Sequence, residues 1–179
     1  VRKIKVWDPF VRIFHWSLVI LFGANALIVD DDGKLHIWIG YAVLGLVLLR
    51  MAWGVVGTRY ARFSSFPPSL EAAKGQLMDI ATGRRREHAG HTPLGAWMIY
   101  NLLIALLVIC VSGYLMTTDM FWGKEWPEEL HEFAVAWAEI SVVLHIAAVV
   151  FESRRLGTNL PRAMVTGYKE VHSEQTSDP

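Results

Sequence analysis

Cysteine is nearly missing: Cys110 is the single one in 179 residues. A disulfide framework is thereby excluded, and without a C-x-x-C-H run so is covalent c-type haem attachment. Charge is scarce as well. Asp, Glu, Lys and Arg make up 19% of the chain against 53% hydrophobic residues, too apolar a balance for an ordinary soluble domain of this size. The 17 basic and 17 acidic residues cancel, so nothing in the net charge points to a nucleic-acid partner. No internal repeat and no low-complexity segment is evident, and the apolar runs do not alternate as barrel strands do.

What the sequence does have is long apolar runs. A bilayer core of roughly 30 Å takes about 20 helical residues, and four segments qualify: 10–29, 35–56, 94–116 and 130–151. The third has no charged side chain. Lipid offers the backbone no partners, so each span is expected to be helical. Arg2, Lys3 and Lys5 ahead of the first run resemble a signal-peptide start. The run is too long for that, and Asp30-Asp31-Asp32 follows it in place of a small-residue cleavage site, so it is expected to be retained as the first span.

Lys and Arg counts set the orientation. The N-terminal arm through Arg12, Arg50, the 57–93 loop and the tail together hold fifteen, whereas the two other loops hold only Lys34 and Lys124. Both termini are therefore expected in the cytoplasm, with short acidic outer loops (Asp30 to Asp32; Asp119, Glu125, Glu128, Glu129). The expected fold is an all-α integral membrane four-helix bundle over 1–156. Within the inner loop 57–93, Leu70, Ala73, Leu77 and Ile80 share a helical face, which predicts a short interfacial helix over 69–82. The polar tail, 157–179, is expected to be partly disordered.

Histidine inside a span is costly, and so a functional hypothesis by default. Topology gives four such residues a depth. His15 and His145 fall near the inner side, His36 and His131 near the outer side. His131 and His145 are 14 residues apart, about 21 Å of rise and within about 40° of four full turns, so they share one helix face. Two imidazoles from different helices at one depth can clamp an iron and leave no open axial site, an arrangement that favours electron transfer. The pairs are read as axial ligands of two b-type haems. Zinc or copper is the alternative, though two histidines per level without carboxylate or thiolate make a sparse set.

Several stretches are similar to one family. Trp7-Asp8-Pro9 followed by Arg12-Ile13-Phe14-His15-Trp16 resembles the opening of the bacterial cytochrome b561 family, which includes the nickel-hydrogenase b subunits. His36-Ile37-Trp38-Ile39-Gly40-Tyr41 resembles its second helix. The run from Arg50 to Gly57 and Ala61-Arg62-Phe63 resemble the exit of that helix, and His91-Thr92-Pro93-Leu94-Gly95 the entry to the third. Leu130-His131-Glu132 and Leu144-His145 resemble the fourth, including the 14-residue interval. The resemblance runs over about residues 7–167. It implies a diheme cytochrome b of the bacterial inner membrane that exchanges electrons with quinone, with His15 paired to His145 and His36 to His131.

Other residues carry weaker expectations. Arg50, 14 residues after His36, is read as a partner for haem propionates, with snorkelling to the surface as the alternative. Arg12 is a similar candidate, with positive-inside anchoring as its alternative. Glu139, the one carboxylate deep in a span, is read first as a helix-packing residue and second as part of a proton route. Gly40, Gly45, Gly95 and Gly113 are read as packing sites. His88 and His91 are expected to form a solvated interfacial cluster, and His172 carries no signal. Trp7, Trp16, Trp122 and Trp126 fit an interfacial belt.

The function expected is electron transfer across the membrane between the quinone pool and an outer-face partner, such as a c-type cytochrome or a reductase or hydrogenase subunit. A superoxide oxidase-like quinone reductase is a related alternative. A haem-free membrane metal-binding or scaffold module is one of another class. Oligomeric state, with a dimer among the options, is left open.

Overall fold

The computed structural model describes residues 2–31, 33–86, 88 and 90–171. Asp32, His172 and the rest of the tail beyond it lie outside the described residues. The elements run β1 (Arg2–Lys5), α1 (Pro9–Leu27), α2 (Lys34–Val56), α3 (Leu70–Ala81), α4 (Pro93–Met116), α5 (Trp126–Leu156), α6 (Leu160–Thr166) and β2 (Tyr168–Val171), with single 3-10 turns at Phe63–Ser65 and Asp119–Phe121.

Four helices, α1, α2, α4 and α5, are long and apolar enough to cross a membrane, with 19, 23, 24 and 31 residues. At 1.5 Å per residue even the shortest rises about 28 Å, close to a hydrocarbon core of roughly 30 Å. The chain is an all-α, multi-pass membrane four-helix bundle. Ile20, Leu48, Ile104 and Ile140 stand more than half exposed, as side chains facing lipid do. The end that bears the chain termini and the 57–93 loop is called the basic end below, and the opposite one the acidic end.

Helix starts follow local chemistry. Asp8 caps α1 by accepting from Val11 N at 2.9 Å, and Pro9 opens the helix, where its missing N–H costs nothing. Thr92 and Pro93 repeat the device on α4, Thr92 Oγ1 accepting from Gly95 N at 3.1 Å. α5 begins four residues before the apolar run and ends five after it. Pro127 and the acidic Glu128 and Glu129 suit its first turn, and Arg154 and Arg155 suit its last.

Packing proceeds in sequence around the bundle. α1 lies on α2, α2 on α4, and α4 on α5, the last contact being the most extensive. Small residues allow that approach: Ala96 and Ala105 on α4, and Ala134, Ala138 and Ser141 on α5, are buried. Val43 and Val47 of α2 meet Leu106 and Cys110 of α4 in the core. α5 meets α1 and α2 at most marginally, which leaves a gap across the bundle.

The short helix of the inner loop is α3, but of its predicted apolar stripe only Ala73 is buried. Ala73, Gln76 and Asp79 turn inward, because the Gln76 side chain accepts from Leu94 N at 2.9 Å and Asp79 lies 3.7 Å from Arg86. Leu70, Leu77 and Met78 stay exposed.

The expectation of a partly disordered tail is corrected for residues 157–171. α6 folds back, and β2 pairs antiparallel with β1, Arg2 opposite Val171 and Lys5 opposite Tyr168. Gly167 makes the junction. Its carbonyl accepts from Val6 N at 2.9 Å and Trp7 N at 3.2 Å; its φ is +87°, and a Cβ there would lie 2.8 Å from the Trp7 carbonyl oxygen. The Lys169 ammonium is buried and donates to the His88 carbonyl at 2.6 Å.

Candidate metal-binding histidine pairs

At the acidic end, α2 brings His36 in its first turn and α5 brings His131 in its second. Their ring centres are 6.2 Å apart and the planes 63° to one another. A metal–imidazole nitrogen bond is about 2.0–2.1 Å, and a ring nitrogen lies about 1.1 Å from its ring centre, so two imidazoles trans on one ion have centres about 6.3 Å apart. The gap between these rings is one metal ion wide.

His131 is held in a defined tautomer. Its Nδ1 lies 2.9 Å from the Ile109 carbonyl oxygen and 3.2 Å from Ser112 Oγ. A carbonyl only accepts, so Nδ1 carries the proton and Nε2 is left with its lone pair for a metal. Gly113 lets α4 come this close: a Cβ there would stand 3.1 Å from His131 Cε1 and 3.3 Å from Nδ1. On the other side, His36 Nδ1 is 3.9 Å from an Asp31 carboxylate oxygen, and Asn25 of α1 donates to the His36 carbonyl at 3.3 Å.

At the basic end, His15 of α1 and His145 of α5 are near enough to interact electrostatically. The Nδ1 atoms of His15 and His36 are buried without a hydrogen-bond partner. An unpaired buried polar atom is costly in an apolar bundle. Among the described residues no group of three or more His, Cys, Asp or Glu could hold a metal ion. The donor set is thus two pairs of imidazoles, which suits an ion whose other ligands come from a planar macrocycle. It is poor for zinc, which usually takes at least three protein ligands.

The two arginines are both tied into the basic end. Arg50 is buried, donates through Nη2 to the Ala61 carbonyl at 3.1 Å and lies 5.0 Å from the Phe63 ring centre. Its Nη1 is buried with no partner, and so is Arg12 Nε. Arg12 Nη2 donates to the Val165 carbonyl, which joins α1 to α6. Each guanidinium therefore keeps one buried donor available for an anionic group.

The solvated His88–His91 cluster is corrected by the structure. His91 is enclosed between Trp7 at 4.7 Å and Phe66 at 4.2 Å. Burial first, then the Arg50 and Lys169 cations, push its imidazole down to about 3. Burial also lowers His88, with Lys169 and Arg86 adding to it. His91 is thus a neutral packing ring, and its effect on pH stability has a fixed sign. Between about pH 6.5 and 3 the unfolded chain takes up a proton that folded His91 refuses. Stability then falls with acidification by up to about 1.4 kcal/mol per pH unit. Melting curves in detergent from pH 7 to 4 are expected to show this slope, and His91→Phe is expected to flatten it. An unchanged slope in the variant would assign the effect elsewhere.

Asp8 was legible only as part of a motif. Besides Val11 N, its carboxylate accepts from Trp53 Nε1 at 3.1 Å and Thr58 Oγ1 at 2.6 Å, which ties the start of α1 to the end of α2. Burial pushes the carboxyl up, but the hydrogen bonds from Thr58, Val11, Trp53 and Phe10 outweigh it and hold it below its ordinary value. Glu139 is exposed, about 80° around α5 from His131 and turned away from the face packed on α4.

The family model for prokaryotic cytochrome b561 matches residues 6–167. No curated protein and no solved structure matches the chain. With that match over nearly its whole length, the chain belongs to the prokaryotic cytochrome b561 family, membrane b-type cytochromes that bind haem and serve electron transfer.

Proposed function

We propose that this protein carries electrons across the bacterial inner membrane through two b-type haems, one held by His36 and His131 and the other by His15 and His145. The observation that carries the reading is the 6.2 Å separation of His36 and His131, together with the Ile109 carbonyl that leaves His131 Nε2 as the ligating atom. Haem, when bound, supplies a reversible one-electron change at iron. The protein's residues do the rest. His36, His131, His15 and His145 would hold the two irons, two imidazoles to each, and would leave no site for a substrate there. The spans exclude water from both levels. The buried unpartnered nitrogens of Arg50 and Arg12 support a role for both in binding propionates at the basic end.

The excess of Lys and Arg around the termini and the 57–93 loop supports a cytoplasmic location for that end. The exposed Leu70, Leu77 and Met78 of α3 suit the membrane surface there. Quinone is the lipid-soluble partner in this reading. The outer partner is a redox protein docked at the acidic face, a c-type cytochrome or a reductase or hydrogenase subunit.

Haem content tests this. Purified protein is expected to hold two haems per chain, released by acid–organic extraction as haem b, with a sharp reduced α-band. A stable but colourless preparation would overturn the reading and return the chain to a haem-free membrane module.

A further inference from the structure

Resting on the reading that the histidine pairs bind haem, we propose that α4, which supplies no iron ligand, sets the acidic-end haem at the lower potential of the two by acting on His131, with Ser112 as the positioning residue. Ser112 is almost fully buried at 1% exposure. Its hydroxyl donates to the Val108 carbonyl at 2.7 Å, so its oxygen meets His131 Nδ1 as an acceptor at 3.2 Å. The Ile109 carbonyl accepts from the same nitrogen at 2.9 Å. Gly113 leaves room for this seat: a Cβ there would stand 3.1 Å from His131 Cε1.

The basic-end pair has no such seat. His15 Nδ1 is buried without an acceptor, as His36 Nδ1 is, and no hydrogen bond from His145 is found among the described residues, so the seat on His131 is what distinguishes the two pairs. Nearby charge adds to this: a carboxylate oxygen of the exposed Asp31 lies 3.9 Å from His36 Nδ1.

An imidazole whose N–H is shared with acceptors is a stronger base toward iron and favours the ferric state. A neighbouring carboxylate does likewise. Both terms lower the acidic-end potential relative to the other. An electron then passes more readily from the acidic-end iron, ferrous to ferric, to the basic-end iron, ferric to ferrous, with no proton moved.

The test is a potentiometric titration of the purified two-haem protein at the α-band. The His15→Ala variant, which keeps only the acidic-end haem, assigns the waves. The acidic-end wave is expected at the lower potential. Ser112→Ala is expected to raise it, shifting its ferrous-to-ferric ratio by roughly three- to tenfold, tenfold being about 59 mV for one electron. The other wave should stay in place, and Ser112→Thr, which keeps a hydroxyl, should restore the first. A wild-type acidic-end wave at the higher potential would overturn the proposal by itself, even if Ser112→Ala failed to fold. So would a Ser112→Ala titration with that wave unmoved or with both waves shifted alike. A colourless wild-type preparation would instead overturn the haem reading beneath it.

Discussion

His131→Ala is expected to yield a protein that still inserts and folds but has lost one haem per chain, with the remaining haem unchanged in spectrum and potential. His36→Ala should remove the same haem, since both rings belong to one 6.2 Å gap. His15→Ala and His145→Ala should each remove the other. The effect is large because a truncated axial position leaves the iron one protein ligand in a site walled by apolar helices. It should also be separable from unfolding. The rings stand at α1–α5 and α2–α5 boundaries, where the backbones barely touch, while the packing that holds the bundle runs through α1–α2, α2–α4 and α4–α5. Added imidazole, small enough to enter the emptied position, should partly restore the missing band. Pyridine haemochrome counts on the four variants decide the matter. Loss of the same haem from His15→Ala and His36→Ala would refute the pairing by depth.

Asp8→Ala is expected to be the most destabilising change outside the histidines. It removes an N-cap, a loss of about 1 kcal/mol. It also strands Trp53 Nε1 and Thr58 Oγ1, whose acceptor lies 3.1 and 2.6 Å away. A buried donor left unsatisfied costs roughly 1–3 kcal/mol, and some water will reach these two, so about 2–5 kcal/mol in all is expected. Asp8→Asn keeps a capping oxygen and should lose about half as much. The held-down carboxyl also gives a pH dependence: its contribution is present above the unfolded value of 3.8 and is lost as pH falls through the lower folded one. Thermal melts in detergent at neutral pH measure the first effect. An Asp8→Ala protein that melts with the wild type would show that the carboxylate ties nothing together.

The spans were legible because lipid imposes one rule on every residue of a run. Phe10, Leu35 and Leu94 as expected starts stand one residue inside α1, α2 and α4. The fourth start is four residues off because Trp126-Pro127-Glu128-Glu129 forms a helical turn for reasons of capping and dipole, not of hydropathy. The nearness of His36 to His131 was legible too, since depth follows from topology. What escaped depends on residues far apart in sequence. Asp8 meets partners 45 and 50 positions away. β2 is four polar-looking residues whose strand character comes from β1 at the other end of the chain. Ser112 is one small residue in an apolar helix, and its meeting with His131 depends on how α4 and α5 are rotated against each other. His91, beside three arginines in sequence, reads as solvated until Trp7 and Phe66 close around it.

Both histidine pairs draw one member from α5, the fourth of the four spans. This bears on biogenesis. As the chain enters the membrane, α1 and α2 arrive with His15 and His36 already in place, yet neither level has its second ring until α5 has inserted. On the proposed pairing, an insertion intermediate with three spans would have nowhere to retain the cofactor. The ribbon of β1 and β2, joined through Gly167, can close only later still, so the N-terminal strand waits for a partner made after all four spans. Loading of haem would in this way be deferred until all four spans are present, with the ribbon closing last as a latch.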